Sequence, residues 1–298
     1  MIPCAQFQEK TMSSNLATPK QTAPNKAAIP LSVTVLVALL AFIEFTGGFL
    51  QGYYVPLFGL ISVQLGISDA DITWFSVVST LAMGVLVPVL SKLGDIYGHR
   101  RMLRIATVAV LAGALLVALA PNYPLVLLGR VLSGPLAVWL PLEIALVHNR
   151  ISGDGARKAI GTLVAFLTIG AIAGTLTAGT VATFVPDTTM VLLIPVALVV
   201  VCSIVVFAFV PESDVRAAGK IDVIGFVGLA LAMMGLLWGL REAQIAGFGS
   251  VESMLPLVAA AVILLGWGWW ELRVETPAID LRMIATRRLW PAYATSFL

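Results

Sequence analysis

Apolar residues in this chain come in long unbroken runs, divided by short polar breaks that carry nearly all the charge. From Pro30 onward the runs have the length that takes a helix across a hydrocarbon core, about 20 residues for about 30 Å. The pattern predicts eight spanning helices, near residues 31–58, 72–94, 102–120, 124–147, 159–184, 189–210, 221–240 and 254–272. Barrel strands are excluded, because lipid-facing and lumen-facing residues would then alternate. The breaks carry helix-start and turn chemistry: Ser68-Asp69-Ala70-Asp71, Pro121-Asn122-Tyr123-Pro124 and Val185-Pro186-Asp187. Residues 1–28 are polar and dotted with Lys10, Lys20 and Lys26, which predicts a disordered tail rather than a signal peptide. The implied division is a tail over 1–28, a six-helix bundle over 29–210, two further helices over 211–275, and a link with the start of a ninth helix over 276–298. The last apolar stretch, Leu289–Leu298, covers about 15 Å, roughly half a bilayer, and reads as a truncated helix.

Composition agrees with a polytopic helix bundle. The 298 residues are 59% apolar and 11% charged, against about 45–50% and about 25% in soluble domains, and the mean hydropathy is +0.98. A soluble globule of this size would lack the charge to cover its surface. The net charge of +2, with Lys and Arg in small scattered groups, excludes nucleic-acid binding. Two cysteines, Cys4 and Cys202, and two distant histidines, His99 and His148, offer neither a disulfide framework nor a metal site. No phosphate loop or nucleophile triad is present, so the expectation is a protein that is not an enzyme and has no cofactor. Charge also orients the chain. With a cytoplasmic N-terminus, 16 of the 18 Lys and Arg fall on the cytoplasmic side, leaving Arg241 outside and Arg130 within a span. The expected location is a multi-pass position in the plasma membrane.

Chemistry concentrates in four places. The link between the second and third spans reads Ser91-Lys92-Leu93-Gly94-Asp95-Ile96-Tyr97-Gly98-His99-Arg100-Arg101. Gly98 permits a tight reversal, and Asp95 can cap the next helix or pair with an arginine. This link resembles the Gly-x-Leu-Ala-Asp-Arg-x-Gly-Arg-Arg loop of the major facilitator superfamily, matching at Leu93, Asp95, Gly98, Arg100 and Arg101 and departing at Ser91, Ile96 and His99. The resemblance implies a cytoplasmic gate at Asp95, Gly98, Arg100 and Arg101. In the fourth span, Arg130-Val131-Leu132-Ser133-Gly134 resembles the same family's Arg-x-x-Gln-Gly. In the fifth, Gly161, Gly170 and Gly174, followed by Ala178-Gly179, resemble its antiporter motif Gly-x8-Gly-x3-Gly-Pro-x2-Gly-Gly, with Thr175 in place of the proline. The small residues Gly161, Gly170, Gly174 and Gly179 are expected to let two helix backbones approach closely.

The first span carries Glu44-Phe45-Thr46, similar to the Asp-x-Thr of the 14-helix drug–proton antiporter branch. At 1.5 Å per residue Glu44 lies about 20 Å and Arg130 about 27 Å above the cytoplasmic side, so a Glu44–Arg130 pair for proton coupling and charge balance is expected. Glu143, after Pro141, reads as a charge partner near the cytoplasmic end. Tyr53, Tyr54, Trp74 and Phe75 read as an outer aromatic belt, and Trp267, Trp269 and Trp270 as an inner one. The resemblance implies export of a small hydrophobic or cationic compound, driven by the proton gradient, through an all-α bundle embedded in lipid. Its rivals are uptake or exchange of another solute by the same fold, and a fragment that does not transport. Alternating access needs two halves, so a second copy or a C-terminal half is the expected partner.

Overall fold

A computed structural model describes residues 32–211, 222–274, 277, 279 and 281–284. The tail over 1–28 and the ninth-helix start at Leu289–Leu298 lie outside the described residues. Eight helices are long and apolar enough to cross a membrane, in the order and near the places the apolar runs predict, and there is no strand among the described residues.

The first span is α1 (Val33–Tyr54), a 3-10 turn (Val55–Leu57) and α2 (Phe58–Leu65). Pro56 has no N–H to give, so the α-helical ladder tightens there for one turn and then resumes. Gly66 ends the span in the left-handed conformation at φ +63°. α3 (Asp69–Tyr97) starts on a capping box in which Ser68 and Asp71 satisfy each other's backbone N–H groups. α4 (His99–Leu119) follows α3 with no loop between them, because Gly98 takes φ +104°, a conformation that side chains rarely adopt. The fourth span is again broken, into α5 (Tyr123–Leu132), a 3-10 stretch (Gly134–Val138) containing Pro135, and α6 (Trp139–His148). α7 (Asp154–Phe184), α8 (Thr188–Phe209), α9 (Val223–Ala246) and α10 (Val251–Glu271) complete the spans, and a short α11 (Leu281–Ile284) comes after them.

Pairing among the first six spans follows a two-fold pattern. α1 packs most extensively on α7, α3 packs on α5 and the 3-10 stretch, and α4 packs on α8. Exchanging spans one and four, two and five, and three and six converts the first pairing into the second and leaves the third unchanged. That is the arrangement of two three-helix repeats related by an internal axis. α9 and α10 form a separate hairpin whose main contact outside itself is α9 on α3. Leu40, Ile43, Leu50, Leu103, Val110, Trp139, Leu142, Leu146 and Val199 fill the bundle centre, while Ile169, Ile172, Leu176, Val258, Val262 and Leu265 point outward, where hydrocarbon solvates them.

The α1–α7 contact is made backbone to backbone. A Cβ at Gly170 or Gly174 would collide with the carbonyl of Phe45 or Phe49, and a Cβ at Gly48 or Gly52 with the carbonyl of Leu167 or Ala171. Four glycines, two on each helix, therefore interlock. Gly161 and Gly179, expected to belong to this seam, do not: no atom among the described residues lies within 4 Å of where their Cβ would stand. They sit on faces of α7 turned away from α1. Thr175, in the position where the family motif has proline, donates to the Gly52 carbonyl at 3.1 Å and so tightens the same contact. Gly174→Val is expected to destabilise the purified protein by about 1–3 kcal/mol through overpacking. Gly179→Ala is expected to stay within about 0.5 kcal/mol, as at an open surface position. Thermal unfolding in detergent micelles compares the two.

Candidate functional site

Two acidic side chains meet inside the bundle. Glu44 projects from the middle of α1 and Glu143 from α6, 2% and 0% exposed. Their carboxyl groups lie within hydrogen-bonding reach of each other. Both Glu143 oxygens and Oε1 of Glu44 are buried with no basic or amide donor on them among the described residues. Thr46 closes the pocket on one side, its hydroxyl donating to the Phe42 carbonyl at 2.9 Å. The Cys202 thiol of α8 reaches Thr46 and faces both carboxyls. The 3-10 stretch delivers Glu143 here: it re-aims the fourth span so that Trp139 packs against Gly47, where a Cβ would stand 3.4 Å from the indole.

Arg130 belongs to a different site. Its Nε donates to the Phe75 carbonyl at 3.0 Å and its Nη2 to Ser79 Oγ at 2.7 Å. The guanidinium carbon stands 4.3 Å from the Phe75 ring centre and 4.8 Å from that of Tyr54, so the cation is held between aromatic faces and neutral acceptors. Phe58 and Tyr54 meet Phe75 edge-on, at 5.5 and 5.3 Å. The expected Glu44–Arg130 pair is not formed, and none of the ion pairs among the described residues includes either side chain. The reason is depth. Tyr54 stands ten residues beyond Glu44 on the first span, about 15 Å along the axis. The five-residue 3-10 stretch, rising about 2 Å per residue instead of 1.5, further separates Arg130 from the level of Glu143. Tyr53, Tyr54 and Phe75, expected in an aromatic belt, are buried core residues instead. Tyr53 donates its hydroxyl to the Val191 carbonyl of α8 at 2.8 Å.

At the α3–α4 junction Asp95 pairs with His99 at 3.1 Å rather than with an arginine, Gly98 supplies the reversal, Arg100 is half-buried and Arg101 exposed. Gly94 packs under Leu142 of α6, which ties this junction to the helix that carries Glu143. Of the indoles expected at the inner belt, Trp269 is exposed under Arg273, 4.0 Å away, whereas Trp270 donates to Asp222 at 3.1 Å and pins α10 to the start of α9. No group of metal ligands occurs among the described residues. A groove of about 730 Å³ runs between the N-terminal halves of α1 and α7, walled by Val37, Phe42, Phe45, Ile151 and Phe166, with Lys158 at its edge.

Sequence reasoning misjudged Glu143, whose signal was the rarity of an acid between apolar residues, and missed Gly48 and Gly52, whose signal was a Gly-x3-Gly spacing facing that of Gly170 and Gly174.

Eight helices among the described residues that are long and apolar enough to cross a membrane, with acids and an arginine buried in them, define an integral multi-pass membrane protein. More narrowly, residues 37–297 match the family model of the Major Facilitator Superfamily, and the chain belongs to that family. It is 22% identical to a lincomycin resistance protein of Listeria monocytogenes over 81% of this chain and 53% of the relative. It is 25% identical to a uridine/deoxyuridine transporter of Lactococcus lactis over 94% and 58%, and 29% identical to a probable actinorhodin transporter of Streptomyces coelicolor over 72% and 38%. The chain thus spans about half the length of the curated relatives it matches. The human organic anion transporter MFSD10 shares the fold, with a TM-score of 0.53 at 12% identity over 76% of this chain and 70% of that one.

The Arg130 site depends on a planar fork that lysine does not have. Arg130→Lys is expected to leave Ser79 or the Phe75 carbonyl unpaired and to cost about 1–3 kcal/mol. Thermal unfolding in micelles measures the loss, and an unchanged melting temperature would contradict the assigned contacts.

Proposed function

We propose that this chain supplies the proton-coupling half of a transporter that exports small hydrophobic compounds in exchange for protons. The observation that carries this reading is Glu44, an acid buried at mid-span on a helix held backbone to backbone against α7. The ionised form of a carboxyl in that position is costly in hydrocarbon, so the group suits a role in which it takes up and gives off a proton as access changes sides. Arg130 serves on this reading as a fixed positive charge that balances the buried acids from a distance. Asp95, Gly98, Arg100 and Arg101 form a gate at the cytoplasmic face, with the N-terminus cytoplasmic and the protein in the plasma membrane, as the distribution of Lys and Arg favours. The bundle over 29–210 is the rocking unit, and the pair over 211–275 is appended to it. Alternating access sets this bundle against a second one, from a C-terminal half or another copy.

Relatives whose names denote resistance or export support the export direction. The apolar walls of the α1–α7 groove suit hydrophobic compounds, and the Lys158 ammonium disfavours cations at that spot. The likeness to a uridine/deoxyuridine transporter over 94% of the chain favours a second reading, proton-coupled movement of a polar metabolite.

Everted membrane vesicles carrying the protein separate these readings. A pH gradient is expected to drive accumulation of a hydrophobic fluorescent dye, and Glu44→Gln to reduce it to the level of vesicles without the protein. Undiminished accumulation by Glu44→Gln overturns the role of Glu44. Gradient-driven movement of uridine without any of the dye favours the second reading.

A further inference from the structure

We infer that Glu44 and Glu143 act as one proton-binding unit, a carboxylic acid hydrogen-bonded to a carboxylate across the α1–α6 interface. The pairing rests on geometry alone; its use in transport rests on the proton-coupled reading above.

Both side chains are buried, they come from different helices, and their carboxyl groups are within reach of each other. Two carboxylates have no hydrogen to share, so a hydrogen bond between them requires that one be protonated. Two adjacent negative charges in a water-poor interior repel strongly, and a neutral pair has one acidic hydrogen more than the contact uses. The singly protonated form satisfies both groups: the O–H of one glutamic acid donates to a carboxylate oxygen of the other. A proton arriving from water binds the remaining carboxylate, and one leaving to water departs from the shared hydrogen bond. No other bond changes.

Among the described residues, the groups around the pair do not supply a substitute cation. From α8 the Cys202 thiol faces it, and from α1 the Thr46 hydroxyl is spent on the Phe42 carbonyl. α7 carries Asp154 and Arg157, which pair with each other at 3.3 Å near its N-terminal end, and Lys158, which edges the groove. α3 brings Lys92 and Asp95, and α4 brings His99, Arg100, Arg101 and Arg104. Asp95 and His99 hold each other, and Arg104 donates to the Phe207 carbonyl and stacks over its ring. The ionisable side chain acting on each glutamate from close range is therefore the other glutamate.

Such a unit titrates as a pair, in two macroscopic steps that belong to neither residue alone. Infrared spectroscopy of the protein in lipid films, following the C=O stretching band of protonated carboxyls against pH, reads those steps directly. The wild-type protein is expected to show two steps about one pH unit or more apart. Glu44→Gln and Glu143→Gln are each expected to replace both by a single step at a pH distinct from either. The pairing is overturned if each variant deletes one step and leaves the other where it was. Either variant suffices, so one that fails to fold leaves the other decisive. Replacing sodium by choline is expected to leave the steps in place, and steps that move with sodium overturn a proton site in favour of a metal-cation site. Two coupled steps combined with dye transport that ignores a pH gradient would keep the pairing and reject the proton-coupled reading.

Discussion

The backbones of α1 and α7 touch directly at four glycines, and the placement of Glu44 depends on that contact. Gly48 and Gly52 on one helix and Gly170 and Gly174 on the other leave space that the facing backbone fills, joined at Gly52 by the Thr175 hydroxyl. In hydrocarbon, helix association has no hydrophobic driving force, so close van der Waals contact and interhelical hydrogen bonds hold the register. On its far side α1 meets Trp139 through Gly47. Held on both faces, α1 keeps Glu44 at one depth and one azimuth, facing α6 and not the lipid.

Buried charge is then sorted by level. Arg130 sits among Tyr54, Phe75 and Ser79, with its donors on neutral acceptors. The two glutamates sit together at the level of mid-α1, with no cation paired to them among the described residues. A direct Glu–Arg pair would satisfy both groups and lock them, because breaking a buried ion pair leaves an uncompensated charge. On the proposed proton-coupled reading, keeping the opposite charges apart is what leaves the acids able to exchange protons. The break at Gly134–Pro135 gives this arrangement its geometry, since it lies on the fourth span between Arg130 and Glu143.

The fold was legible because a bilayer constrains sequence strongly: spanning segments must satisfy their own backbone, so length and continuity of apolar runs suffice to locate them. Helix starts at Ser68, Asn122 and Asp187 were readable for the same local reason, the side-chain oxygen each offers to an open N–H. What escaped was the level of Arg130. Counting along ideal helices placed Glu44 and Arg130 close enough to meet, but it does not tell where a span breaks or how a 3-10 stretch lengthens and re-aims it. Tyr54 and Phe75 misled similarly: an aromatic near a span end looks like a belt residue until its ring is found against a guanidinium. Glycine spacing carried half of the seam, since Gly161 and Gly179 fit the motif while Gly48 and Gly52 make the contact.

The claim on which this account turns is that Glu44 is coupled to Glu143 and not to Arg130. A double-mutant cycle on melting stability in micelles tests it most directly. Glu44→Gln combined with Glu143→Gln is expected to depart from additivity by about 1 kcal/mol or more, while Glu44→Gln combined with Arg130→Met adds within about 0.5 kcal/mol. Additive behaviour in the first cycle together with strong coupling in the second would contradict the account.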